Sequence, residues 1–189
     1  MVNGGTIPRG GRFTSARSYR GGTHNGLDIA APEGTDINLP EMGAAMTVTK
    51  VHTSTPSRGA GNYVTLEGNL PNGDRVQLTL GHMKQNSINV ALGQQIPAGT
   101  LIGKVGNTGM TSDKTKGGVT AWYEGKSSGF HVDIKLKING HYVDPETYNP
   151  ANYGAGLQEV SAPISPDLQI PATRMSSQDI FDIPFPDNL

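Results

Sequence analysis

The stretch GGTHNGLDIAAPEGTDI, residues 21–37, sets His24 and Asp28 four apart and then enters an apolar run closed by Pro32 and Gly34. Imidazole and carboxylate are both ligand types for a divalent cation. Two donors are too few to define a metal site, so a third has to come from elsewhere in the chain. As a purely local pattern, the pair also fits a turn cap beside a strand.

Outward from that stretch the chain has β texture. AMTVTKVHT (45–53), NYVTLEG (62–68), RVQLTLGHM (75–83) and FHVDIKLKI (130–138) alternate in polarity or are rich in β-branched residues. The turn signals SRGAGN, NLPNGD and NG separate them. PNGD at 71–74 predicts a hairpin, and Asn139–Gly140 suits a two-residue type I′ turn, since both positions tolerate positive φ. No segment keeps a 3.6-residue period over three turns. The 26 glycines and 13 prolines among 189 residues point the same way, to many turns and short strands. The expected fold is mainly β, with a single antiparallel sheet or sandwich-like domain carrying a groove over residues 1–150.

An extended Pro-rich tail is expected over 151–189. It holds Pro163, Pro166, Pro171, Pro184 and Pro186, which remove backbone donors and exclude a central strand or a helix. Its charged residues are Arg174 against Glu159, Asp167, Asp179, Asp182 and Asp187, whereas residues 1–150 carry a small positive excess. Two readings of the tail stand: a loose terminus, or a segment that docks on a protein partner and orders there.

Composition excludes several classes. Without cysteine there is no disulfide, thiol nucleophile or Cys-based zinc site. No G-x-S-x-G motif is present, and nothing forms a nucleic-acid-binding stripe. No apolar run reaches the length of a membrane span, so the protein is not expected to be membrane-embedded. MVNGGTIPRGG lacks the apolar core of a secretory signal, which leads to the expectation that the chain is not exported by the general route.

Five histidines remain as candidate ligands or proton carriers: His24, His52, His82, His131 and His141. On a strand, His131, Asp133 and Lys135 share one face, and Phe130, Val132, Ile134 and Leu136 share the other. The apolar face belongs to the core, which leaves His131 and Asp133 where a groove can lie. Taken alone, that pair also fits an exposed polar strand face. His52, beside a Ser/Pro/Gly loop, and His141, after a hairpin turn, read as surface or half-buried side chains.

Taken in order, the motifs resemble the lysostaphin-type zinc endopeptidases of peptidoglycan. That family's H-x(3)-D motif running into GxDIAAPxGTxI is matched by HNGLDIAAPEGTDI, and its GNYVxL strand by Gly61 to Leu66. Its Y-x-H-L-like strand end is matched by LTLGHMKQN, and its Gly-rich stretch by LGQQIPAGTLIGKVGNTGMTS. The final GPHLHFEV falls on GFHVDIKL, followed by YVDPETY. The resemblance covers about residues 10–148. Two features depart from it. The second His of the H-x-H motif is Asp133 here, and DKTKGGVTAWYEGKSS, which contains Trp122, is inserted before the last motif, as a groove wall or a surface loop.

The resemblance implies a metal-dependent hydrolase with His24 and Asp28 as metal ligands and Asp133 at the third ligand position. Zn2+ is the implied cofactor. Two carboxylates make Mn2+ or another divalent ion more competitive. His82 and His131 match the two non-ligand histidines, one to take a proton from the attacking water and the other to stabilise the oxyanion or protonate the departing amine. The substrate implied is a peptide of bacterial peptidoglycan. The alternative is a degenerate module that keeps the fold in a structural or peptidoglycan-binding role. Lacking a signal, a wall-cutting enzyme is expected to be virion-associated or released to the host periplasm and cell wall. There the tail would dock on phage tail or ejection proteins.

Overall fold

The computed structural model describes residues 1–6, 12–13, 24–53, 59–113, 118–121 and 129–153. Period-two alternation decides the faces of the strands. In β10, His131–Ile138, Val132, Ile134 and Leu136 are fully buried, while His131 and Lys135 lie only partly in solvent on the opposite face. The same alternation buries Val76, Leu78 and Leu80 in β5 (Arg75–Met83), and Val64 and Leu66 in β4 (Asn62–Asn69). Each fully buried Val, Leu or Ile is worth roughly 1.5–3 kcal/mol. This apolar face is therefore what holds the register.

The main sheet has seven strands, all antiparallel. It runs in the order β1 (Leu27–Ala30), β10, β5, β4, β3 (Met46–His52) and β6 (Gln95–Ile96), with β11 (His141–Val143) following β1 along the same edge of β10. Thr6 pairs through both backbone groups with Ala30 and covers part of the outer edge of β1. A two-stranded ribbon of β2 (Asp36–Asn38) and β7 (Leu101–Lys104) adds Ile37 and Ile102, both fully buried, to the same core. A second ribbon pairs β8 (Met110–Asp113) with β9 (Gly118–Ala121). There is no α-helix among the described residues, and no helix among them is long and apolar enough to cross a membrane.

The mainly β antiparallel expectation therefore holds, and the four long predicted strands are present. The short strands of the two ribbons were not anticipated. They are too short to show a period, and β8–β9 crosses into the stretch read as an insertion. Both predicted hairpins form. Leu70 and Asp74 close the β4–β5 loop with Gly73 at φ +90°, and Asn139 and Gly140 take φ +50° and +83° between β10 and β11. Asn149 caps a 3₁₀ turn at Pro150–Asn152 by accepting a hydrogen bond from Ala151 N. Of the tail expected to be extended over 151–189, residues 151 and 152 lie in this turn instead, while 154–189, which carry the docking expectation, and Trp122 lie outside the described residues.

Two glycine-containing turns fit against each other beside the sheet. Gly61 (φ +62°) and Gly109 (φ +81°) bring backbone onto backbone: a Cβ on Gly109 would stand 2.4 Å from both Gly61 N and Gly59 O. Met110 N donates to Gly59 O, Asn62 N donates to Thr108 Oγ1, and Thr108 Oγ1 donates to Met83 O, which ties the two turns to the end of β5. Gly109→Ala is expected to lower stability by on the order of 3 kcal/mol or more, from positive φ plus a backbone collision. Gly73→Ala, at φ +90° but with open space around the new Cβ, is expected to cost only about 1 kcal/mol. Urea unfolding of the two variants checks this; equal losses would mean that the close approach is not what requires Gly109.

Candidate active site

β1 and β10 pair so that Asp28 stands directly opposite Asp133, and Asp133 opposite Gly81 of β5. Residues opposite one another project to the same side of a sheet. This places both carboxylates on the face away from the Val132–Ile134–Leu136 core, buried at 4% and 7% exposure. His24, just before β1, puts Nε2 3.4 Å from Asp28 Oδ1. One donor atom each of His24, Asp28 and Asp133 lie within 4.8 Å of one another. Donors about 2.1 Å from a tetrahedral ion stand about 3.4 Å apart. The His24–Asp28 pair already has that spacing, and the third donor needs to close by little more than an ångström.

The hydrogen bonds left unmade point to a cation. His24 Nε2 and Asp133 Oδ1 are both buried without a hydrogen-bond partner. A carboxylate oxygen kept dry and unpaired is costly unless something positive meets it, and His24 Nε2 has only the long contact with Asp28. The donor set of one imidazole and two carboxylates fits a divalent ion of the zinc or manganese kind. Gly26 lets the Asp133 carboxylate lie against its backbone: a Cβ there would stand 2.4 Å from Asp133 Oδ1.

His82 and His131 border the same cleft, of about 280 Å³, which Gly59, Ala60, Met110, Thr111 and Lys135 also line. Their ring centroids are 4.6 Å apart. His82 Nδ1 contacts Thr108 O at 2.7 Å and His131 Nδ1 contacts Gly129 O at 2.8 Å. A carbonyl only accepts, so both Nδ1 atoms carry the proton, and in each neutral ring Nε2 is the free acceptor. His131 Nε2 lies 3.8 Å from Asp28 Oδ1. His82 has φ +57°. It sits where β5 carries one residue more than β4, since Asn62 faces Met83 but Val64 faces Leu80. A bulge of this kind re-aims a side chain beside a functional site, and the bond from His82 N to Ala60 O holds it.

The charges are mutually adjusted. The polar contact with Asp28 raises His24 above its ordinary value against the pull of burial. Burial pushes Asp28 up, but the His24 contact and the charges of His131 and His82 outweigh it and leave Asp28 low. Burial first, and repulsion from His131 second, push His82 down to about 4. Lys135, whose Nζ lies 3.0 Å from Asp133 Oδ2, is pulled down by burial, yet the Asp133 carboxylate prevails and leaves it above the ordinary lysine value.

All five residues singled out in the sequence thus line one cleft. His52 does not: its Nδ1 contacts Gly61 O at 3.1 Å and its ring stacks on Tyr63. His141 is exposed on β11. Sequence reading placed Lys135 on the strand face of His131 and Asp133 but gave it no role. It also missed the carbonyls of Thr108 and Gly129, for which no sequence signal exists.

Fold and cleft together define an antiparallel β domain that gathers one imidazole and two carboxylates able to hold a metal ion. Residues 22–145 match the model of Peptidase family M23, and the chain belongs to that family. The catalytic domain, in a mutant form, of the prophage-encoded M23 protein EnpA from Enterococcus faecalis is 26% identical with a TM-score of 0.53, over 79% of this chain and 95% of that one. The antimicrobial peptidase lysostaphin from Staphylococcus simulans shares the fold at 20% identity and TM-score 0.50, over 88% of this chain and 58% of that one.

Between pH about 6.5 and about 4 the unfolded chain takes up a proton at residue 82 that the folded chain refuses. Stability should therefore fall as pH falls through that window, by about 3 kcal/mol in all. His82→Asn, which tolerates the left-handed backbone, should flatten this part of the profile. Urea titrations of the chelator-treated protein at several pH values check it; an unchanged slope would place the acid sensitivity elsewhere.

Proposed function

We propose that this protein is a metal-dependent hydrolase that cuts peptide bonds in bacterial peptidoglycan. The observation that carries the reading is the convergence on one cleft of His24, Asp28 and Asp133, with His24 Nε2 and Asp133 Oδ1 lacking a hydrogen-bond partner, beside the rings of His82 and His131. The M23 family match and the lysostaphin-like fold support the substrate class. His24, Asp28 and Asp133 are the residues that would hold a zinc ion, which when bound polarises a carbonyl and acidifies water. His82 and His131 present acceptors. Either Nε2 can take the proton of the attacking water as its oxygen joins the peptide carbon, and the ring so protonated becomes the donor for the amine nitrogen as the C–N bond breaks. Burial keeps His82 neutral near pH 7 but, at about 4, leaves it a weak base.

The Asp133–Lys135 ion pair favours a second reading, a degenerate module with a structural or peptidoglycan-binding role, because it already gives one carboxylate a cation. Metal analysis joined to a turbidity assay on isolated peptidoglycan separates the two. The active reading expects a bound divalent ion, clearing of the suspension and new amino termini. His131→Ala should keep the ion and lose turnover by about a hundredfold or more. Asp133→His should bind zinc more tightly with activity kept or raised. A chain that clears nothing until Asp133 becomes His is the degenerate module.

For its place of action, we propose a virion-associated wall hydrolase, or one released to the host periplasm and cell wall, with the acidic Pro-rich segment 151–189 docking on phage tail or ejection proteins. The prophage origin of the EnpA neighbour and the tail composition support this. Mass spectrometry of purified particles produced by the encoding genome should find the chain. Its presence only outside particles would overturn the virion reading.

A further inference from the structure

We propose that Lys135 is a positioning residue that sets the metal preference of the site: its ammonium holds Oδ2 of Asp133, so that the carboxylate offers a divalent cation Oδ1 alone. The inference rests on the metal-site reading above. Four observations carry it. Lys135 Nζ is 3.0 Å from Asp133 Oδ2, while Asp133 Oδ1 is buried and unpartnered, so the two oxygens of one carboxylate have different fates. Gly26 leaves space for this arrangement, since a Cβ there would stand 2.4 Å from Oδ1 and 3.1 Å from Lys135 Cγ. Asp28 and Asp133 are buried directly opposite each other, a like-charge pairing that is unfavourable without nearby positive charge. Finally, in the GPHLHFEV motif the positions of Asp133 and Lys135 are His and Glu. This chain differs from the motif at both positions, the two side chains lie in contact, and Lys135 offsets the charge that Asp133 brings.

The chemical consequence concerns denticity. A carboxylate free at both oxygens can bind bidentately, which fills an extra coordination position and suits ions that take more oxygen ligands. Manganese gains from this relative to zinc, which favours four ligands and at a catalytic site keeps one position open. A carboxylate with one oxygen committed to Lys135 behaves as a single donor, as an imidazole does. Lys135 therefore allows Asp133 to occupy a ligand position without changing the number of donors.

The test uses the full chain with Lys135→Met, which keeps much of the stem and removes the charge, Lys135→Arg, which keeps the charge, and Lys104→Met as a distant surface control. Zinc and manganese affinities are measured by competition with a chelator, and the cobalt-loaded proteins by visible absorption. Lys135→Met should lower the zinc-over-manganese preference by about tenfold. It should also weaken the cobalt bands, as four-coordination gives way to higher coordination. Lys135→Arg should restore both, and Lys104→Met should change neither. If Lys135→Met does not fold, Lys135→Gln, which keeps a donor without the charge, should show a smaller shift in the same direction. If the native chain binds the ions and the Lys135 variants leave preference and spectrum unchanged, the positioning role is wrong and the metal site stands. If the native chain binds no divalent ion but Lys135→Met does, Lys135 occupies the cation's place and the proposal is overturned. If neither binds one, the metal-site reading falls and takes the proposal with it.

Discussion

The antiparallel pairing of β1 with β10, which sets Asp28 opposite Asp133, is the constraint on which the rest of the site depends. Two carboxylates buried side by side repel, and each arrangement around them answers that repulsion. His24 and His131 stand against Asp28, and Lys135 stands against Asp133. The pairing is enforced from the opposite face. Val132, Ile134 and Leu136 are anchored in the core, and a one-residue slip of β10 would send them to the cleft and Asp133 inward. The apolar core thus holds the polar site in place.

A second constraint works on His82. The two glycine turns at Gly59–Gly61 and Thr108–Gly109 touch backbone to backbone, and their carbonyls take the His82 amide and ring Nδ1. A non-glycine residue at positive φ is strained, and these bonds sustain it. In return the ring is fixed in one tautomer, with its centroid 4.6 Å from that of His131. Packing between two turns that border the cleft therefore sets the tautomer of His82.

Much of this was legible in the residues. Alternation located β3, β4, β5 and β10 to within about a residue or two. Asn-Gly chemistry located the β10–β11 turn, because few residues other than Asn and Gly accept φ near +50° and +83° in succession. The order of the motifs singled out His24, Asp28, His82, His131 and Asp133, and the fold brings all five to one cleft. The ribbons β2–β7 and β8–β9 were not legible, because three or four residues carry no measurable period and such strands depend on a partner.

What the sequence by itself determined was everything governed by near neighbours: strand faces, hairpin turns, the absence of thiol chemistry, and the residue types able to bind a cation. The tertiary structure decided the rest. The bulge that turns His82, the carbonyls that fix the tautomers, and the division of Asp133 between Lys135 on one oxygen and open donor space on the other all arise between strands and loops far apart in the chain. Such contacts depend on register and close packing, which follow from how the whole core fills rather than from any local stretch of residues.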